Sequence, residues 1–370
     1  MAESTSKRNL SEPNHSRGFS SPRTKASPIA SGRYRPSRRD LLRLFGFSAA
    51  GVTFGSLAAA CNVFSGASGP ATNTPLQLAI ANSPTTLALL LGAEQGRYKQ
   101  VGFDATYKTF AQAGDAVPAV VAGDAQFGAG ASEFPTIGAV AKGADIQILA
   151  VTFAQKHVVG LVARSGISSG ADLVGKTIGV PLASGTDLWR GLYFQKNGLD
   201  QTKVKVVNVP TADTATTFIR GDVQAIFTFQ PFIDTALAAV SGSKVIAWAE
   251  DDNLWKGHTT MFASKKWLDA HRSDAVKVLR ATRDSANWIN ANYDEAIQLA
   301  LKYLKQDEKT VRYFLQPSKD VTIFQSPDTV RSEWLAAGKF MNENNLATIS
   351  DVNGVVNSML NVDLFNEATK

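Results

Sequence analysis

Between residues 76 and 248 the chain alternates short β-rich runs with stretches of helical spacing, and this alternation restricts the fold more than any other feature. Runs at 76–81, 103–110, 125–128, 146–152, 158–164, 177–180, 204–209, 224–229 and 244–248 read as strands. Between them, 85–95, 115–122, 134–141, 186–196, 213–220 and 232–239 read as helices. The pattern predicts an α/β architecture of parallel sheets covered by helices on both faces. Beyond Ser264 it becomes helical, over 273–305, 308–316, 328–344 and 350–360, with Trp267, Trp288, Tyr303, Phe314 and Trp334 expected to face inward. A length of 370 residues suits two lobes rather than one.

Charge is unevenly placed. Residues 1–61 hold ten Lys and Arg against three Asp and Glu, which leaves 28 against 29 for the remainder of the 38 and 32. The folded body is therefore close to neutral, and nucleic acid is not expected as a partner. One cysteine excludes an internal disulfide, and four scattered histidines leave little for a metal site.

Residues 1–36 are rich in Ser, Pro, Arg and Asn without apolar periodicity, and residues 1–60 read as a disordered basic leader. Arg38-Arg39 followed by the uncharged stretch 44–61 resembles a twin-arginine export signal. A membrane-spanning helix fits less well, because Gly46, Ser48, Gly51, Thr53, Gly55 and Ser56 dilute the apolar run. Cys61, after Leu57-Ala58-Ala59-Ala60, resembles the acylated cysteine of a bacterial lipobox, although Leu57 lies one residue too early and Ala58-Ala59-Ala60 also suits ordinary cleavage. Residues 61–73 then form a lipid-anchored tether.

Three strand ends carry a hydroxyl residue followed by a helix start: Ser83-Pro84-Thr85, Ser132-Glu133 and Ser184-Gly185-Thr186. Such positions are ordinary helix caps, yet several at the carboxyl edge of a sheet also suit an anion.

The segment Asp172-Leu173-Val174-Gly175-Lys176-Thr177-Ile178-Gly179-Val180-Pro181 resembles a stretch of periplasmic solute-binding proteins. So do Val121-Ala122-Gly123-Asp124-Ala125-Gln126-Phe127-Gly128, the Gly96-Arg97-Tyr98 to Gly102 element, and residues 217–227 with Gln230-Pro231-Phe232. In this order they resemble the nitrate/sulfonate/taurine-type branch, which also contains binders of the thiamine pyrimidine precursor. Gln224 and Gln230 depart from the usual acidic residues, and Arg97-Tyr98 from the usual Phe. The resemblance implies a two-lobed type II periplasmic-binding-protein fold, with mostly parallel sheets and a ligand cleft between the lobes. Lobe I is expected at 74–163 plus 256–370 and lobe II at 164–255.

It further implies the extracytoplasmic subunit of an ABC importer. The expected partners are a small-molecule solute, the permease and ATPase subunits, the twin-arginine translocase and, through the lipid, the membrane. The protein is expected to be a monomer in the periplasm or on the outer face of the cytoplasmic membrane, without a cofactor. A sulfonate, taurine-like or nitrate-like anion would bind at Ser83, Pro84, Ser132, Glu133, Ser184, Gly185 and Thr186, with Trp189 and Phe227 or Phe229 as walls. A heterocycle read by Gln230 and Glu133 is the alternative ligand, and a ligand sensor on the same fold the alternative role.

No catalytic motif is expected to operate. Gly170 to Thr177 matches a phosphate-loop pattern in letters, but Lys176-Thr177 runs into a strand instead of a helix. Gly130-Ala131-Ser132-Glu133 lacks a full nucleophile elbow. His157 reads as packed or capping, His258 and His271 as surface residues. Pyrimidine-synthesising eukaryotic relatives depend on a cysteine-rich motif, and no cysteine follows Cys61.

Overall fold

The computed structural model describes residues 73–111, 113–251, 255–316 and 321–370, all within one compact unit, Ser68–Lys370. Strands β1 (Thr74–Ala81), β2 (Phe103–Phe110), β3 (Phe127–Ala131) and β4 (Ile146–Ala154) build a first sheet. Strands β5 (Val159–Ala163), β6 (Thr177–Val180), β7 (Lys205–Asn208), β8 (Ala225–Phe229) and β9 (Lys244–Trp248) build a second. The chain then returns as β10 (His258–Ser264), which completes the first.

The two sheets share one plan. Their orders are β2-β1-β3-β10-β4 and β7-β6-β8-β5-β9. In the first, β1 is parallel to β2 and β3, while β10 runs antiparallel to β3 and β4. In the second, β6 is parallel to β7 and β8, while β5 runs antiparallel to β8 and β9. Each sheet thus has four strands in one direction and one opposed strand, which is the strand that has just crossed from the other sheet. β3 and β5 lie inside their sheets and are buried at every residue, whereas the edge strand β2 alternates exposed and half-buried positions.

Two expectations need correction. The strands read from the sequence stop at Trp248, yet β10 occupies an interior place in the first sheet. Its His-Thr-Thr-Met-Phe-Ala-Ser run offers no polar/apolar alternation because it is covered on both faces. The expected lobe boundary at 163/164 also falls too late, since β5 pairs with β8 and β9 of the second sheet. The chain crosses once between β4 and β5 and again between β9 and β10.

The Gly-x-x-Gln elements perform the same structural task twice. Gln126 accepts the Gln77 N–H through Oε1 at 2.7 Å and donates its own N–H to the Gln77 carbonyl at 3.0 Å. Gln224 does the same to Thr177, at 3.0 and 2.9 Å. Each side chain extends the ladder beside the start of β3 or β8, at the end of the sheet away from the strands' carboxyl edge. Gln224 is thereby a sheet residue.

Of the expected inward aromatics in the helical tail, Trp334 is fully buried, while Trp267, Trp288, Tyr303 and Phe314 are half-buried. Tyr98 is buried and shares a 2.9 Å hydrogen bond with Thr282, so this departure from the usual Phe serves packing. Thr177 opens β6, so the phosphate-loop letters do not lead into a helix.

Candidate functional site

β1, β3 and β6 end at the cleft, and each hands over to a helix through an extended serine. Ser83 (φ −148°, ψ 147°) caps the turn Pro84–Thr86 and accepts the Thr85 N–H at 3.3 Å. Pro84, buried beneath this cap, presets the first turn. Ser132 (φ −92°, ψ −168°) precedes the helix Glu133–Ala141 without using its side chain as a cap. Ser184 (φ −131°, ψ 170°) precedes Gly185–Lys196; its hydroxyl donates to the Pro181 carbonyl at 2.6 Å and accepts the Asp187 N–H at 3.4 Å. Gly130, beside Ser132, has φ +104°, and a Cβ there would stand 2.5 Å from the Ala81 Cβ, so only glycine lets the two strand ends meet.

These starts converge on a cavity of about 300 Å³ between the sheets, lined by Ser83, Thr85, Ser132, Ser184, Gly185 and Thr186. Among the described residues, neither the Ser132 hydroxyl nor that of Thr186, only 4% exposed, has a hydrogen-bond partner. The remaining wall is largely apolar: Phe153 and Phe314, edge to face at 5.6 Å, with Val158, Val159, Phe229 and Trp255. No Lys, Arg, Asp or Glu among the described residues lines it.

Glu133 lies behind this wall, fully buried. Its Oε1 accepts the Trp255 indole N–H at 2.9 Å, and its Oε2 has no partner. His258 Nε2 is 3.6 Å from Oε2 but already accepts the Trp334 N–H at 3.0 Å, while Nδ1 donates to the Lys256 carbonyl at 2.9 Å. That pattern fits the neutral imidazole, so the two side chains are not an ion pair. Burial holds the Glu133 carboxyl above the usual carboxylate range, against the pull of the Trp255 N–H, which favours the charged form.

Other expectations fall elsewhere. Trp189 and Phe227 are fully buried in the second lobe, edge to face at 5.0 Å, and do not reach the cavity. Gln230 is buried, with Nε2 donating to Asp234 Oδ1 at 2.9 Å and Oε1 accepting the Asp234 N–H at 3.3 Å, so its amide is already engaged. His258, expected on the surface, is a buried wall residue. His157 is half-exposed against Trp248, with Nε2 2.9 Å from Asp251. Sequence reasoning missed Phe153, Trp255 and Phe314; the one available signal was a lone Trp in the polar connection after Glu250-Asp251. Arg38, Arg39 and Cys61 lie outside the described residues.

The model of the family described as NMT1/THI5 like matches residues 83–296 of the chain. The chain belongs to this family. A relative from Brucella abortus (strain 2308), named as a binding protein, is 27% identical over 257 residues, 68% of this chain and 78% of its own. The taurine-binding periplasmic protein of Escherichia coli (strain K12) is 24% identical over 228 residues, 60% and 68% of the two chains. Among solved structures, the periplasmic aliphatic sulphonate-binding protein SsuA from Escherichia coli has a TM-score of 0.67 at 17% identity, covering 79% of this chain and 99% of its own. The desulfurization enzyme DSZB has a TM-score of 0.60 at 15% identity, covering 80% and 99%. The fold of this NMT1/THI5-like chain is therefore that of periplasmic binding proteins, and the same fold also carries an enzyme.

Proposed function

We propose that the protein is the extracytoplasmic solute-binding subunit of an ABC importer, and that it captures a small organic oxyanion by closing its two lobes. The observation that carries this reading is the pair of unpartnered hydroxyls, Ser132 from one lobe and Thr186 from the other, facing one cavity at helix starts. Oriented N–H groups supply positive potential there without a buried cation. The relatives that bind taurine and aliphatic sulphonates support the anion class. Binding, and not catalysis, is supported by His258, whose two nitrogens are both committed, and by the absence of any cysteine after Cys61. Export through Arg38-Arg39 and a lipid on Cys61 complete the proposal.

Calorimetric titration of residues 68–370 with taurine, alkanesulfonates, nitrate and an aminopyrimidine tests the ligand class. Small-angle scattering with and without the bound compound tests closure. A saturated protein with an unchanged radius of gyration overturns the closing step. Binding of the aminopyrimidine alone overturns the oxyanion. A heterocycle is the second reading, and the aromatic wall is what favours it.

A further inference from the structure

The cavity wall narrows the solute further. We infer that the solute carries a planar aromatic ring, seated against Phe153, Phe229, Phe314 and Trp255, with its oxyanion turned toward Ser132 and Thr186. The inference deepens the oxyanion-binding reading and rests on it.

The rings come from both lobes and from the connection between them. Phe153, near the carboxyl end of β4, is registered against Thr259 of the returning strand β10. Phe229, at the carboxyl end of β8, is registered against Val159 of the outgoing strand β5. One phenyl ring from each sheet thus stands beside the start of each crossing strand. Phe314, from the helical tail, meets Phe153 edge to face at 5.6 Å. Trp255 is fixed by Glu133, and its indole edge lies so close to Gly185 that a Cβ there would come within 2.5 Å.

A bare nitrate or a two-carbon sulfonate engages the hydroxyls but leaves most of about 300 Å³ as space bounded by phenyl and indole rings. Water gains few partners from such a wall. A planar ring fills it, and it meets other rings in the offset or edge-to-face geometries that a saturated chain cannot use. A quaternary cation also suits aromatic rings, but no carboxylate lines the cavity among the described residues, and Glu133 lies behind Trp255.

The test is calorimetric titration of residues 68–370 with benzenesulfonate, cyclohexanesulfonate, taurine, nitrate and choline. The expected result is benzenesulfonate at least tenfold tighter than cyclohexanesulfonate and taurine. Phe229→Ala should weaken benzenesulfonate at least tenfold while changing cyclohexanesulfonate less, and Trp255 emission should change on saturation. Should Phe229→Ala fail to fold, Phe314→Leu, which keeps the volume apolar, gives the same comparison. Cyclohexanesulfonate, taurine or nitrate equal to or tighter than benzenesulfonate overturns the ring and leaves the oxyanion class standing. Choline as the sole ligand, or no binding by any sulfonate or nitrate, overturns the oxyanion class and the ring with it.

Discussion

Glu133 Oε1 and the indole N–H of Trp255 form a 2.9 Å hydrogen bond that ties a helix start of the first lobe to the connection returning from the second. The bond fixes a cavity wall from behind, so Glu133 positions Trp255 without itself facing the cavity. Removing it should leave the indole N–H buried and unsatisfied. Glu133→Ala is expected to cost about 1–3 kcal/mol in urea unfolding. Glu133→Gln keeps an acceptor and removes the penalty of a buried carboxylate, so its stability relative to the parent should rise as the pH rises and the parent's carboxyl ionises. A Gln variant as unstable as the Ala variant would show that the charge itself matters.

Gly185 touches both partners of that bond. A Cβ at this position would stand 2.5 Å from the Trp255 ring and 3.2 Å from Glu133 Oε1, and all three come from different segments. Gly185→Ala should therefore hold the lobes apart while leaving each lobe intact. The expected outcome is at least a tenfold rise in Kd for the bound sulfonate with the melting temperature lowered by only a few degrees. Unchanged affinity would mean that the lobes do not meet here.

Thr186 contributes a hydroxyl that nothing in the described protein engages. Thr186→Ala should lower anion affinity by about 1–3 kcal/mol in calorimetry, because the oxyanion loses a donor it cannot replace. Ser184→Ala should act mainly on stability instead, since the Ser184 hydroxyl is spent on the Pro181 carbonyl and the helix cap. Equal affinity losses from the two variants would contradict this division.

Glu250 links the crossings: its Oε2 accepts the His157 N–H at 3.2 Å, and burial pushes its carboxyl from the ordinary 4.5 up to about 7. The folded value lies above the unfolded one, so the native state binds the proton more tightly. The resulting stability is present below about pH 4.5 and is lost as pH rises through 7. At about 1.4 kcal/mol per unit, the loss reaches on the order of 3 kcal/mol. Urea unfolding from pH 4 to 8 should show a parent-minus-Glu250→Gln difference that changes by about this amount across that window. A difference independent of pH would place the titration on another group.

Arg38-Arg39 and Cys61 are tested in cells. Replacing both arginines by lysine should leave precursor in the cytoplasm, and Cys61→Ala should move the protein from the membrane to the soluble fraction. A Cys61→Ala protein that still sediments with membranes would rule out the lipid anchor.

The alternation of strands and helices, and the serines that end β1, β3 and β6, were legible because both depend on a few adjacent residues. A hydroxyl before a helix start is a local pattern, and parallel strands deliver such starts to one edge. Which aromatics reach the ligand was not legible. Phe227 and Phe229 share a face of β8, yet the first is fully buried and the second lines the cavity, because they stand about 7 Å apart along the strand and only the latter is at its edge. Trp189 looked equally available but turns toward Phe227 in the second lobe's core. Phe153, Trp255 and Phe314 meet there through chain segments far apart in sequence. Sequence by itself determined most of the elements, though not β10, and the polar helix starts, since these follow from neighbouring residues. The aromatic wall, the neutral His258 and the buried Glu133 were decided only when two crossings brought the lobes together, since burial and partner choice depend on residues that adjacency does not reveal.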